Sequence, residues 1–153
     1  MERRFLDRAI ELSRLGGEGG GPFGAVVVRA GEIIAEGINR VVETDDPTAH
    51  AEITAIRRAC AHLGRFDLSD CELYSSCEPC PMCLGAIYWA RPAKVHFANT
   101  RYDAAGIGFD DLFIYEQLEL SPGQRSMPFE HHPDAAALTV FRQWRQRPDR
   151  ARY

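Results

Sequence analysis

Apolar residues recur along the chain with two spacings, one typical of helices and one typical of strands. The segment MERRFLDRAIELSRL carries its apolar residues on one stripe with charged residues opposite, which predicts an amphipathic helix at the surface. The run FGAVVVRA is continuously apolar and predicts a buried strand. EIIAEGINR predicts the partner strand of a hairpin whose turn lies at Ala30-Gly31.

Helices and strands alternate through the rest of the chain. DPTAHAEITAIRRACAHL has helical spacing, with Asp46 as the predicted cap and Pro47 at the first helical position. CELYSSC and AKVHFAN predict two more strands, and PCPMCLGAIYWAR predicts a helix between them. DDLFIYEQL and DAAALTVFRQWRQR predict later helices. This order predicts an α/β fold with three layers, αβα, around a mixed central sheet of about five strands.

The length of the chain fits one domain. A chain of 153 residues buries about 70% of the surface that its unfolded form exposes, so one core stabilises it without cross-links. The apolar fraction of 45% is typical of a globular protein. No internal repeat or low-complexity linker divides the sequence, and we expect a single domain over residues 1–153.

Charge and cysteine count narrow the choice of partners and compartment. The net charge of -4 disfavours a protein whose main task is to bind nucleic acid, because that task needs a basic surface. Five cysteines cannot all pair, and reduced thiols indicate a cytoplasmic protein. Charges interrupt the first helix too often for an export signal, and no segment approaches the ~20 apolar residues of a membrane span.

Three cysteines, Cys77, Cys80 and Cys83, stand three residues apart in SSCEPCPMC. Cys80 and Cys83 share one face of a predicted helix start, where the helix dipole favours thiolates. Redox pairs, iron–sulfur clusters and zinc sites all use such spacings. A redox pair usually follows the first strand of a different fold, and the cluster motif needs a further cysteine where this chain has Ile87. Zinc is therefore the favoured use.

The motif TAHAE supplies a third candidate ligand and an acidic residue, which the cysteine motif does not contain. His50 and Glu52 open a different predicted helix, and side chains in a first helical turn lean towards its amino terminus, so both reach a site in front of it. His50, Cys80 and Cys83 then give three zinc ligands and leave the fourth position open for water, as in catalytic zinc sites. Cys77 is interpreted as a non-ligand. His-x-Glu followed by Pro-Cys-x-x-Cys is the signature of zinc-dependent nucleobase deaminases.

The chemistry that this set predicts is hydrolytic. One zinc ion per chain would lower the pKa of a bound water to about 7. Glu52, which is not a ligand, would take the water proton and pass it to a ring nitrogen and then to the departing amine. The alternative is a non-catalytic interaction module, in which zinc only stabilises the fold and Glu52 is an ordinary residue of a helix start.

Five stretches of the sequence resemble the bacterial guanine deaminases of the cytidine-deaminase-like fold: GGPFGAVVV, AEGINR, DPTAHAEITAIR, YSSCEPCPMCLGAIYWAR and GFDDLFIY. The likeness extends from Gly21 to Tyr115. The zinc motifs alone place the chain in a superfamily that also contains tRNA adenosine, cytosine and nucleoside deaminases, whereas PMCLGAIYWAR and GFDDLFIY point to guanine. The resemblance implies hydrolysis of guanine to xanthine and ammonia. A deaminase of tRNA adenosine, cytosine or an amino-triazine on the same fold is the alternative.

The resemblance also implies which residues bind the base. Asn39 matches the amide that hydrogen-bonds the purine, and Asp111 matches the carboxylate that accepts from the N–H groups of guanine. A site lined by an acceptor penalises adenine, which leaves that acceptor unpaired. Phe23 and Trp89 are candidates for the pocket wall, with core packing as the alternative for each. Spacing does not separate the roles of Asp110 and Asp111, because either suits a helix cap.

In the family that the sequence resembles, the carboxyl-terminal segment exchanges between subunits, and a terminal tyrosine closes the neighbour's site. This chain also ends in a tyrosine, Tyr153, after FRQWRQRPDRAR. The resemblance therefore implies a homodimer in which residues from about 134 to 153 cross to the partner subunit.

Overall fold

The computed structural model describes residues 1–17 and 20–151. Backbone contacts divide the chain into two compact units, Met1–Ile114 and Tyr115–Tyr153. The first unit holds the sheet and all the residues of the two zinc motifs. The single domain expected over residues 1–153 stays a prediction.

A mixed sheet forms the centre of the first unit. Its strands are β1 (Gly24–Arg29), β2 (Glu32–Ile38), β3 (Cys71–Cys77) and β4 (Lys94–Asn99). The spatial order is β2-β1-β3-β4, with β1 antiparallel to β2 and β3, and with β3 parallel to β4. The hairpin turn lies at the predicted Ala30-Gly31, where both residues adopt positive φ. The mixed sheet is therefore confirmed.

Helices follow the strands in the order that the sequence predicts, with two additional short α-helices and a 3-10 turn at Pro122–Gln124 among the described residues. The first unit contains α1 (Arg3–Leu15), α2 (Val41–Thr44), α3 (Ala51–Leu63), α4 (Pro81–Ala90) and α5 (Arg101–Gly106). A sixth helix, α6 (Asp111–Glu119), begins in the first unit and ends in the second, which also contains α7 (Ala135–Gln146). The short helices α2 and α5 were not predicted.

The two faces of the sheet bury different helices. Val26 of β1 lies in a buried cluster with Phe5 and Leu12 of α1. Its neighbour Val27 belongs to a second cluster, which includes Ala55 of α3 and residues of α4. Because successive side chains of a strand point to opposite faces, α1 covers one side of the sheet while α3 and α4 cover the other. The three-layer αβα architecture is confirmed.

The described residues contain four strands, one fewer than the expected number of about five. The chain leaves β4 at Asn99 and enters α5 at once. Thr100 and Asp103 form a reciprocal capping box there, in which each side chain accepts from the backbone N–H of the other. This capping box starts a helix directly after the fourth strand.

Two glycines let helices approach the sheet at backbone distance. A Cβ on Gly24 of β1 would lie 2.4 Å from the carbonyl oxygen of Ala9 in α1, and a Cβ on Gly37 of β2 would lie 2.1 Å from the carbonyl oxygen of Ala51 in α3. Real side chains do not tolerate either distance. The absence of a side chain at Gly24 therefore lets α1 pack closely on one face of the sheet. The absence of a side chain at Gly37 lets the first turn of α3 pack closely on the other face.

The predicted start of α3 at Asp46 and Pro47 is wrong by several residues. The helix begins at Ala51, and His50 is its N-cap residue. Oδ1 of Asp46 accepts hydrogen bonds from the backbone N–H and the hydroxyl of Thr48 instead, at 2.8 and 2.7 Å. This local turn satisfies the carboxylate before a helix can form. As a consequence, His50 lies outside the helix and its side chain is free to point away from the helix axis.

The second unit carries the terminal helix. Asp134 caps α7 by accepting from the backbone N–H groups of Ala136 and Ala137. The apolar residues Leu138, Phe141 and Trp144 recur every three residues along α7, and all three are exposed. None of the helices in residues 1–17 and 20–151 has the length and apolar character that a bilayer span requires.

Replacing Gly37 by alanine tests whether the close approach of β2 and α3 supports the fold. We expect the Gly37→Ala variant to lose about 2–3 kcal/mol of unfolding free energy, because the new methyl group overlaps the backbone of Ala51. Gly106→Ala is the matched control, since nothing lies within 4 Å of its added Cβ. Urea denaturation measures both. Equal stability of the two variants would contradict the proposed role of Gly37.

Candidate active site

Side chains from two helix starts converge on one point. His50 is the N-cap residue of α3 and Cys80 that of α4, while Cys83 lies in the first turn of α4. Nδ1 of His50 lies 3.5 Å from Sγ of Cys80 and 3.6 Å from Sγ of Cys83. All three ligand atoms lie within 4.8 Å of one another. The structure thus brings together the three residues that the sequence predicts as zinc ligands.

The spacing of these atoms suits a tetrahedral zinc ion. Zn–S bonds of about 2.3 Å and Zn–N bonds of about 2.05 Å, at the tetrahedral angle, place sulfur and nitrogen about 3.6 Å apart. Both S···N distances at the site agree with this value. A histidine and two cysteines are a common donor set for zinc, and three protein ligands leave a fourth position open.

The surroundings of the two cysteines favour binding of a cation. Hydrogen bonding with Cys83, supported by that with His50, lowers the pKa of Cys80 well below its usual range. The same pairing with Cys80 raises the pKa of His50. The adjacent Cys80 and burial raise the pKa of Cys83. A divalent cation would supply the positive charge that lets both sulfurs bind as thiolates.

Glu52 is buried beside this set, with only 5% of its surface exposed. Burial raises the pKa of its carboxyl group. Its Oε1 accepts a hydrogen bond of 2.9 Å from the hydroxyl of Ser75, and its Oε2 lies 3.4 Å from Sγ of Cys83. Because His50 stands just before α3 and Glu52 is in its first turn, both side chains reach the same site, as predicted.

A cavity of about 250 Å³ opens onto these residues. Three of the residues predicted to bind the base lie in its wall, namely Phe23, Asn39 and Asp111. The other described residues of the wall are Gly20, Val41, Pro47, His50, Glu52, Cys77, Glu78, Cys80 and Phe109. The volume lies below the range of about 300–1,000 Å³ for pockets that take drug-sized ligands. The cavity therefore suits a small molecule such as a free base.

The structure separates the two neighbouring aspartates. Asp110 is exposed, and its Oδ1 accepts a hydrogen bond of 3.1 Å from the backbone N–H of Phe113, which caps α6. Asp111 is partly buried and lines the cavity. Burial raises the pKa of Asp111, and the nearby Cys80 adds to the effect. The first aspartate thus supports the helix, and the second faces the cavity.

Asn39 is held rigidly at the end of β2. Only 3% of its surface is exposed, and its Oδ1 accepts a hydrogen bond of 3.1 Å from the backbone N–H of Val41. This bond fixes the orientation of the amide. The side chain therefore presents a defined face to the cavity.

The comparison with known families matches this geometry. Residues 1–99 match the family described as the cytidine and deoxycytidylate deaminase zinc-binding region. The chain belongs to this deaminase family. Zinc is accordingly its metal, and the expectation of a cytidine-deaminase-like fold is confirmed.

Similar proteins include deaminases of two substrate classes. The guanine deaminase of Bacillus subtilis is 52% identical over 151 residues, which cover 97% of each chain. Its crystal structure superposes with a TM-score of 0.96, covering 100% of this chain and 99% of that one. A structure of guanine deaminase from Nitrosomonas europaea covers 92% of this chain and 72% of its own, at 33% identity and a TM-score of 0.69. The tRNA-specific adenosine deaminase of Aquifex aeolicus is 47% identical over 84% of this chain and 83% of its own.

Phe109 of this deaminase lines the cavity, although the sequence analysis did not identify it. Its ring meets the ring of Phe23 edge to face, with centroids 4.9 Å apart. A Cβ on Gly21 would lie 2.7 Å from the Phe109 ring, so the backbone at Gly21 packs tightly against this aromatic pair. The aromatic residue directly before the acidic pair in GFDD is the signal that could have indicated it.

Cys77 lies in the wall of the cavity but outside the group of three ligand atoms. Its thiol donates towards the carbonyl oxygen of Thr100 at 3.6 Å, and burial raises its pKa to about 11. This geometry agrees with the interpretation of Cys77 as a non-ligand.

Of the remaining predicted pocket residues, Trp89 is not brought to the cavity and Tyr153 is not described. Trp89 lies near the end of α4 with 62% of its surface exposed, outside the described residues that line the cavity. Its position follows from the helix: Cys83 faces inwards, and Trp89 is six residues further along α4. Tyr153 lies outside the described residues.

Proposed function

We propose that the protein hydrolyses guanine to xanthine and ammonia, with one zinc ion held by His50, Cys80 and Cys83. The observation that carries the proposal is the likeness to the B. subtilis guanine deaminase over 97% of both chains. The cavity supports it, since its wall combines His50 and Cys80 with the buried carboxylate of Glu52 and the polar groups that a purine needs.

Glu52 is the proposed general acid and base. Zinc, when bound, lowers the pKa of a coordinated water to about 7 and so provides a nucleophile at neutral pH. Glu52 would accept one proton from the attacking water and deliver it to a ring nitrogen of guanine. It would then take the second proton from the new hydroxyl group at C2 and give it to the amine, which leaves as ammonia. The raised pKa of its buried carboxyl suits a group that must hold a proton between these steps.

Asp111 and Asn39 are the proposed base-recognition residues. Guanine presents N–H donors at N1 and N2, which the Asp111 carboxylate accepts, whereas adenine has an acceptor at N1. Since Oδ1 of Asn39 is bonded to Val41, its Nδ2 donates to an acceptor on the purine. Phe23 forms the proposed apolar wall against the ring face.

The homodimer is also a proposal. An amphipathic helix gains stability when its apolar face is covered, and Leu138, Phe141 and Trp144 of α7 are exposed in the single chain. We propose that a second copy of the chain covers this face, with the segment from about 134 to 153 crossing to the partner subunit. Tyr153 would then close the partner's cavity. The cytoplasmic location stays a prediction.

Ammonia release from guanine tests the proposed function. We expect zinc-loaded protein to release ammonia and form xanthine, and Glu52→Gln to lower kcat by about 100- to 10,000-fold while keeping one zinc per chain. Glu43→Gln, an exposed carboxylate on α2, is the control and should keep full activity. Zinc-loaded protein that releases no ammonia from guanine would overturn the proposal, and adenine, cytosine, an amino-triazine and tRNA would then be assayed as substrates.

Asp111 variants test how guanine is distinguished from adenine. We expect Asp111→Ala to reduce the ratio of kcat/KM for guanine over adenine by at least about 100-fold, because guanine loses the acceptor for its N–H groups. Asp110→Ser is the matched control, since serine also caps a helix while removing the same charge. A guanine preference that survives Asp111→Ala would refute this role.

Mixing two defective variants tests the exchange of the carboxyl-terminal segment. If Tyr153 completes the partner's site, Glu52→Gln and Tyr153→Ala chains complement each other, since their mixed dimer holds one intact site. Refolding an equal mixture should restore about a quarter of the wild-type rate. Activity no greater than the mean of the separate variants would rule out the exchange, as would full activity and dimerisation of a chain that ends at Arg147.

A further inference from the structure

Ser75 contacts the proposed catalytic carboxylate from inside the sheet. It lies in the middle of β3 with 1% of its surface exposed, and β3 is flanked by β1 and β4. Its hydroxyl donates to Oε1 of Glu52 at 2.9 Å. Neither the motif nor the resemblance assigns this residue a role.

The hydroxyl of Ser75 has a fixed direction. Its Oγ accepts from the backbone N–H of Cys77 at 3.4 Å, so its single proton is left to point at Glu52. A buried hydroxyl costs stability unless it is bonded, and alanine would fill the same place without that cost. The hydrogen bond to the Glu52 carboxylate therefore explains why a hydroxyl group occupies this position.

This contact makes the two oxygens of Glu52 unequal. Oε1 points into the sheet and is held by Ser75, whereas Oε2 lies 3.4 Å from Sγ of Cys83, on the side of the proposed zinc ligands. Rotation of the carboxylate would break the bond to Ser75. Only Oε2 is then placed to exchange protons with water and substrate.

We propose that Ser75 is a positioning residue that fixes Oε1 of Glu52, so that Oε2 alone accepts and returns the proton of the reaction. The proposal rests on the proposed role of Glu52 in hydrolysis. It assigns Ser75 no contact with the substrate and no part in holding the metal, so its loss should affect the rate of the chemical step and not the binding of guanine or zinc.

The next residue on the strand provides a matched control. Ser76 is also buried, with 5% of its surface exposed, but its Oγ accepts from the backbone N–H of Gly24 at 3.0 Å. Ser75→Ala and Ser76→Ala thus each remove one buried hydroxyl from the same strand. Only Ser75→Ala removes the hydrogen bond to Glu52. The two variants should therefore differ in activity even where their stabilities are similar.

Steady-state kinetics of zinc-loaded variants on guanine test the proposal. We expect Ser75→Ala to lower kcat by about 10- to 100-fold with KM within about 2-fold of wild type, because misplacement of a reacting group by a fraction of an ångström costs rates of this order. Ser75→Thr, which keeps the hydroxyl, should retain most of kcat. Ser76→Ala should keep kcat, and all variants should hold one zinc per chain.

A thermal double-mutant cycle gives a readout that needs no activity. If Ser75 and Glu52 act on each other, the Tm of the Ser75→Ala/Glu52→Gln double variant should lie near that of the less stable single variant, and not at the sum of the two shifts. Should Ser75→Ala fail to fold, Ser75→Cys takes its place, since a thiol is a weak donor, and the same loss of kcat is expected.

The possible failures are distinguishable. If Ser75→Ala retains kcat while Glu52→Gln loses it, the role of Ser75 is refuted and the proposed function stands. If wild-type protein releases no ammonia from guanine, the proposed function fails. Additive Tm shifts in the cycle would then refute the contact between Ser75 and Glu52 independently.

Discussion

The seating of α3 on β2 at Gly37 is the constraint on which the site depends. The carbonyl oxygen of Ala51 lies where a side chain of Gly37 would be, so the first turn of α3 is fixed relative to the sheet by backbone contact. His50 and Glu52 stand on either side of Ala51. Their distance to the sheet is therefore set by the backbone and not by the packing of flexible side chains, which is what a metal ligand and an acid–base group require.

The second half of the site is fixed in a related way. β3 runs through the middle of the sheet and ends at Cys77, and three residues later Cys80 caps α4. Sγ of Cys80 accepts from the backbone N–H of Cys83, so the helix start and the ligand pair form one structure. The site thus lies where two helix starts face each other, and the positive ends of both helix dipoles favour the thiolates.

Much of the fold could be predicted from the sequence, because its strands and long helices have clear periodicity. The αβα layers, the mixed sheet and the hairpin turn at Ala30-Gly31 follow from that pattern. The start of α3 and the presence of α5 did not, because both depend on competition between local hydrogen bonds. Asp46 accepts hydrogen bonds from Thr48 in a turn, and Thr100 starts α5 directly after β4.

Some residues of the candidate site could likewise be predicted from the sequence, and others could not. His50, Cys80 and Cys83 could be grouped because their spacing is specific to metal sites, and they do converge. Ser75 could not be found this way, because it reaches Glu52 through a tertiary contact that no short motif encodes. Asp110 and Asp111 look equivalent in the sequence, and the structure distinguishes them by the hydrogen bond from Phe113 to Asp110 and by the place of Asp111 in the cavity wall.

The bulge in the β1–β2 hairpin has a consequence for how the protein can vary. The pairing of the two strands shifts by one residue between Val27 and Val28, on the turn side of Gly24 and Gly37. A bulge absorbs an extra residue locally. Changes of length near Ala30-Gly31 can therefore accumulate without moving the glycines that seat the helices, whereas an insertion on the other side of the bulge would shift the register beneath α1 and α3 together. The hairpin tip is thus the part of the sheet best able to diverge among related proteins while the chemistry is retained.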